Sequence, residues 1–296
     1  SSILGVTLAY DSLDSRLRPT RGRSASITGE FAGLGGSVKY ARVRARAAQY
    51  WPLGSGFIFS VQGEGGAIKA LGNDRVQLTD RFFLGEPQFR GFDIRGVGPR
   101  VLRQPIIADP DSPDPANPLP LVVTERERVS DDALGGNFYY LGRAEIEIPL
   151  GSGVQELGLR PSVFVDVGAL WGSQFRDPQD LVQDCTFPAG CNFPQRDANG
   201  NALFTQTVTN ADGTTTTTLV TSPTSPSGAA NTPLLNNIPP FTEQFLGDTP
   251  KPRVSVGIGV NWNSPFGPFR IDFAHVLLKQ PGDDTKRFTF NVGTQF

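Results

Sequence analysis

Apolar and polar residues alternate with a period of two in several segments of about ten residues, the length a tilted strand needs to cross a bilayer. In RVSVGIGVNW (253–262), Val254, Val256, Ile258, Val260 and Trp262 alternate with Ser255, Gly257, Gly259 and Asn261. In FRIDFA (269–274), Phe269, Ile271 and Phe273 alternate with Arg270, Asp272 and Ala274. In TKRFTFNVGTQF (285–296), Phe288, Phe290, Val292 and Phe296 share one parity, and Arg287, Thr289, Asn291 and Gln295 share the other. The pattern predicts nine strands, over residues 3–11, 22–33, 36–51, 55–68, 138–149, 159–171, 252–263, 268–279 and 285–296.

Alternation also occurs in soluble sandwiches, where the apolar parity forms the core. Strand length, small or polar residues opposite the apolar parity, and the connections decide between the two. The turns PLGSG (52–56), GSGVQEL (151–157) and NSPFGP (263–268) are tight, whereas the connections over 69–137 and 172–251 are very long. Short turns at one end and long loops at the other are the periplasmic and extracellular ends of an outer-membrane barrel. The fold class expected is therefore all-β, a transmembrane antiparallel β-barrel. Single-chain bacterial barrels usually have even strand counts, so the odd number predicts further strands ahead of Ser1. Within the long connections, DPDSPDPANPLP (109–120) is Pro-rich and extended. NADGTTTTTLVTSPTSPSGAANTP (210–233) is a low-complexity run expected to be mobile. DANGN (197–201) lacks the remaining acidic positions of a calcium loop and is expected to be a surface turn.

Composition narrows the chemistry. With 34 Gly, 25 Pro and 21 Phe the chain is turn-rich and β-like, and a net charge of −2 offers no basic excess for nucleic acid. One His and two Cys cannot complete a structural zinc site, and a nucleophilic triad would have to run through His275 alone. Neither a metal nor a cofactor is expected, nor enzymatic activity. Cys185 and Cys191 flank TFPAG in a polar region, which predicts a local disulfide in an oxidising compartment. No stretch of 18 consecutive apolar residues is present.

FRGFDIRGVGPR (89–100) sets an arginine between two phenylalanines, in a segment too rich in Gly and Pro to be a core strand. An arginine folded inward needs an acidic receptor, because an unpaired buried charge costs several kcal/mol. Parity supplies candidates. In GRAEIEIPL (142–150), Ala144, Ile146 and Ile148 on the apolar side send Arg143, Glu145 and Glu147 to the other; in PSVFVDVGALW (161–171), Val163, Val165 and Val167 send Asp166 there too. Periodicity does not choose between Arg90 and Arg95. Arg42, Arg44 and Arg46 repeat with period two and are expected to form a solvated basic stripe on the polar side. His275 reads as a strand residue without chemistry.

FFLGEPQFRGFDIRGVGPR (82–100), GGNFYYLGRAEIEIPL (135–150), FVDVGALW (164–171) and NWNSPFGPFRIDFAHVL with the segment to the terminal Phe (261–296) together resemble the C-terminal barrel region of the bacterial outer-membrane surface-antigen family of assembly factors. LAYDSLDSRLRPTRG (8–22) and GLGGSVKYARVRARAAQYWPLG (33–54) resemble it as well. The resemblance implies a barrel of about sixteen strands, of which this chain carries the C-terminal nine, with the POTRA domains lying outside it. It implies that the 69–137 loop folds into the lumen and sets Phe89, Arg90, Gly91 and Phe92 against Glu145 and Asp166; Phe89 stands where the family usually has a small aliphatic residue. The implied function is non-enzymatic insertion and folding of unfolded barrel proteins into the bacterial outer membrane. Its implied partners are the lipid bilayer, those clients and accessory lipoproteins. The mechanism would be strand templating at a weak seam, where the last strand carries Phe288, Phe290, Val292, Gly293 and Phe296, and Gly293 weakens the pairing. The long loops would be extracellular and the C-terminus periplasmic. The alternative within the superfamily is a two-partner secretion pore or a related translocation barrel, whose inward loop carries a similar tetrapeptide. An outer-membrane hydrolase lacks support without a G-x-S-x-G elbow.

Overall fold

The computed structural model describes residues 2–16, 18–34, 39–72, 75–150, 158–173, 185, 187–209, 213–264 and 267–292. Nine strands form one antiparallel sheet: β1 (Ser2–Asp11), β2 (Gly22–Leu34), β3 (Tyr40–Gly54), β4 (Phe57–Ala70), β5 (Phe138–Glu147), β6 (Leu159–Trp171), β7 (Arg253–Ser264), β8 (Gly267–Leu278) and β9 (Phe288–Val292). Each pairs with its neighbours in chain order, so the two long connections leave the succession of strands intact. The nine strands of the periodicity are these nine. β3 and β4 close through Ser55 and Gly56, both at positive φ (50° and 85°), the two-residue geometry whose twist matches that of the flanking strands. The turn expected over 151–157 lies outside the described residues, as do Gly293 and Phe296.

Burial runs opposite to that of a soluble sandwich. On β6 the apolar residues Val163, Val165 and Val167 are 40%, 45% and 36% exposed, while Ser162, Phe164 and Asp166 between them are buried. β8 repeats this: Ile271 and Phe273 are exposed, whereas Arg270, Asp272 and Ala274 are buried. All ten residues of β1, at one end of the strand order, are exposed. Among the described residues such a sheet leaves its greasy face exposed and collects polar groups on the other.

The buried hydrophobic cluster forms where the segment after β4 lies on the polar face of the sheet. Phe82, Leu84, Phe89, Phe92 and Val97 from that segment cluster with Tyr139 and Leu141 of β5 and Leu170 of β6. Phe89 and Phe92 are fully buried with ring centroids 4.5 Å apart, and Phe82 lies 4.7 Å from Tyr139. Burying a phenylalanine side chain contributes about 1.5–3 kcal/mol, so the aromatic residues of this segment help to hold it on the sheet.

Residues Arg103–Ser130 and Asp177–Gln244 make a separate compact unit. Its Thr-rich stretch is paired backbone: Phe204–Thr209 pairs with Thr215–Val220, and the Thr207 and Thr217 hydroxyls hydrogen-bond across the hairpin at 3.2 Å. Threonine is β-branched and fits an extended, exposed ladder, so low complexity does not prevent strand formation here. The inward loop expected over 69–137 is accordingly divided, because its middle, from Arg103, belongs to this second unit. Cys185 and Cys191 are bonded to each other within the same unit. Asp197 accepts hydrogen bonds from the backbone of Asn199 and Asn201, the arrangement of an Asx-type surface turn.

Candidate functional site: a buried arginine network

Gly85–Val97 turns back on itself over the polar face of β5–β8. Gly91 makes this possible. It has φ of +89°, and a Cβ there would stand 3.1 Å from the Ser255 Cβ and 3.2 Å from both the Ala274 Cβ and the Val276 Cγ2. Glycine alone supplies that conformation in that space. The loop is also tied to the chain leading into β9: the Lys286 N–H donates to the Gly91 carbonyl at 3.0 Å, Asp93 N–H to Asp284 at 3.0 Å, and Asp284 N–H to Gly96 at 2.8 Å. The Lys286 ammonium reaches the Glu86 carboxylate at 2.8 Å, and this pairing holds its pKa above the ordinary lysine range.

Arg90 is 2% exposed. Its Nε and Nη2 donate to the two oxygens of Asp166 at 2.8 and 2.6 Å, a fork-on-fork pair, and Nη1 donates to Glu145 at 2.8 Å. Its backbone N–H donates to Asp166 at 3.2 Å, and its carbonyl accepts from the Ser255 hydroxyl at 2.6 Å. The guanidinium lies 3.4 Å from the centre of the Phe164 ring, a face-on contact that attracts a cation. Arg95, by contrast, is exposed and lies over Phe83 at 4.6 Å.

Three further groups join the pair. Arg270 donates from Nη2 to Glu145 at 3.0 Å, from Nε to both oxygens of Asp272 at 2.9 Å, and from Nη1 to the Asn261 side chain at 3.1 Å. Asp272 stands 3.9 Å from Arg90 Nη1. Arg143 lies 3.5 Å from Asp166 and donates to the Gln88 carbonyl. Three guanidinium groups therefore meet three carboxylates, and their formal charges cancel. Burying one ion pair often gains nothing over apolar packing, whereas deleting one member strands the others at about 3–5 kcal/mol. Such a network fixes one geometry more than it adds stability. It opens on the short-turn side into a cavity of about 610 Å³ whose walls include Tyr50, Gln62, Glu147 and Arg160.

Glu145 and Asp166 thus both lie against Arg90, at the parity the sequence assigns them. Arg143 also lies on the side the parity gives it; Arg270, Asp272, Ser255 and the Phe164 ring were not singled out, although the alternation in 253–262 and 269–274 puts the first three on the polar side. The basic stripe is not free in solvent, since Arg42 pairs with Glu30, Arg46 lies 3.0 Å from Glu64, and Arg44 sits over Phe82 at 5.4 Å. Carboxylates directly opposite on the neighbouring strands neutralise two of the three charges. His275 is exposed on β8. Thr285 bridges Phe92 instead of continuing the last strand, so β9 begins at Phe288. The aromatic residues group at two levels. Trp51 with Phe59, and Trp262 with Phe269 and Phe290, lie near the short turns, and Trp171 with Phe138 and Tyr140 at the opposite ends.

The chain is 26% identical over 296 residues to the outer membrane protein assembly factor BamA of Neorickettsia risticii, covering all of this chain and 27% of that one. It is 24% identical over 285 residues to BamA of Neisseria meningitidis, covering 96% and 27% respectively. It thus spans roughly a quarter of the length of these relatives. The crystal structure of BamA from Haemophilus ducreyi lacking POTRA domains 1–3 matches with a TM-score of 0.60 at 22% identity, over 97% of this chain and 41% of that one. That likeness carries the fold: the nine strands are wall of a transmembrane β-barrel. The description of the Omp85 superfamily domain matches residues 1–296 from end to end, and the chain belongs to that superfamily.

Proposed function

We propose that this chain is the C-terminal part of an outer-membrane barrel that inserts and folds other barrel proteins, without covalent chemistry. The observation that carries the reading is the loop with Arg90 locked by Glu145 and Asp166 against the polar face of a sheet whose apolar face is exposed. A barrel wall meets lipid with that apolar face, and the polar face lines the lumen. The long connections are extracellular, and the short turns and C-terminus periplasmic. The relatives named above are assembly factors, which adds support.

The mechanism is strand templating. β9 stands at one end of the strand order and among the described residues pairs only with β8, over Phe269–Phe273. An edge strand in a membrane must find partners for its N–H and C=O groups, so a seam here offers an incoming strand its hydrogen bonds. Phe288, Phe290 and Val292 face lipid along that seam. The loop at Phe89–Phe92 braces the lumen while the seam is loose. Clients are unfolded outer-membrane barrel proteins, with accessory lipoproteins as further partners.

The test reconstitutes the full-length protein in lipid vesicles and follows a urea-unfolded barrel client by its gel shift and protease protection. Client folding faster than in empty vesicles is expected, with Arg90→Ala slowing it. Equal rates with and without the protein would overturn the assembly reading.

A further inference from the structure

We infer that Arg270 is a positioning residue for the loop: it acts through Glu145, holding that carboxylate in the orientation that receives Arg90. The inference rests on the bracing role proposed above for the loop. Arg270 sits on β8, three strands from Glu145 on β5, yet its Nη2 reaches Glu145 Oε1 at 3.0 Å while Arg90 occupies Oε2 at 2.8 Å. A carboxylate held at one oxygen keeps torsional freedom. Held at both by separate guanidinium groups, it presents one lone-pair direction to the loop.

The reach depends on a gap in β7, the first of the two strands it crosses. Gly259 of β7 pairs with Asp272, and a Cβ at 259 would lie 2.3 Å from Asp272 Oδ1 and 3.0 Å from Arg270 Nη2. The absent side chain is the space through which the two β8 groups cross β7. Asp272 takes both hydrogen bonds of the Arg270 Nε, and Asn261 takes one from Nη1, so the guanidinium is aimed before the loop arrives. Because β8 is the only described strand that pairs with β9, the state of the loop is tied to the strand beside the seam.

The experiment measures tryptic cleavage within 82–100 in full-length protein reconstituted in vesicles. When closing is fast, cleavage tracks the population of the open loop. Arg270→Gln and Gly259→Val are each expected to raise the rate by about 10-fold or more, although neither residue donates to the loop. Arg270→Lys, which restores a point charge beside Glu145, should recover part of the protection. Arg90→Ala combined with Arg270→Gln should be no worse than Arg90→Ala alone, since both act at one carboxylate. Gly259→Val leaves every charge in place and adds a good strand former, so it separates mispositioning from failure to fold. Wild-type cleavage in both single variants, or effects of Arg90→Ala and Arg270→Gln that simply multiply, would overturn the assignment. Client folding by the wild-type protein, read in parallel, reports on the assembly function independently.

Discussion

Gly91 is the residue on which the docked loop turns, and two separate costs meet there. A positive φ near 90° costs an L-residue about 1–2 kcal/mol, and a methyl group would also press on Ser255, Ala274 and Val276 at 3.1–3.2 Å. Gly72 also has a positive φ, +80°, but nothing lies within 4 Å of an added Cβ. Gly91→Ala should therefore destabilise docking by about 2–3 kcal/mol, and Gly72→Ala should cost no more than the backbone term. Hydrogen exchange of the 84–97 amides compares them, and equal loss of protection would mean that crowding at Gly91 is unimportant. This residue scale was only partly legible in the sequence. Parity placed Glu145 and Asp166 on the right face, because a period of two fixes the side of a strand. It did not bring out Arg270 and Asp272, because their level depends on register across β7 and on the gap at Gly259, and neither is written in the local pattern.

The described strand ends were legible to within about four residues, at the long connections as at the tight turns. β9 starts at Phe288 and not at 285, because the backbone of Asp284 and Lys286 bonds to the loop. Long-range pairing claimed residues whose local pattern was extended in either case. The connection between β1 and β2 shows the opposite, a turn held by local bonds, with Asp14 the side chain that accepts more of them than any other. Asp14 accepts from the Thr20 and Arg21 N–H groups at 2.9 and 3.1 Å and from the Thr20 hydroxyl, and these bonds lower its pKa to about 2. A depressed carboxylate contributes its stabilisation above the unfolded value near 3.9 and loses it as the pH falls toward the folded value. The 12–21 turn should hence become protease-sensitive between about pH 4 and pH 2. In Asp14→Ala the turn should be sensitive already at neutral pH, with no further change in that window. A wild-type turn equally protected at pH 4 and pH 2 would contradict this role.

For the whole molecule, the decisive quantity is the height of the apolar belt. Trp262 is level with Leu159, where β6 begins, and Trp171 lies at its end, with the exposed valines between them. Those twelve steps of strand span about 40 Å, which at a tilt of about 45° gives a height of roughly 28 Å, close to a hydrocarbon core. All three tryptophans, Trp51, Trp171 and Trp262, then belong to the two interfacial levels where amphipathic rings settle. Bromine quenches tryptophan at short range, so its position along the acyl chain reads depth. Protein reconstituted in lipids brominated near the headgroup should be quenched more strongly than in lipids brominated near the chain end. A single tryptophan at position 165, midway along β6 in a background lacking the native three, should show the reverse order. If instead the native tryptophans are quenched best from the chain ends, or the probe at 165 is not quenched at all, the exposed valines do not face hydrocarbon. The buried arginine network would then have to be explained in a protein that meets water on both faces of its sheet.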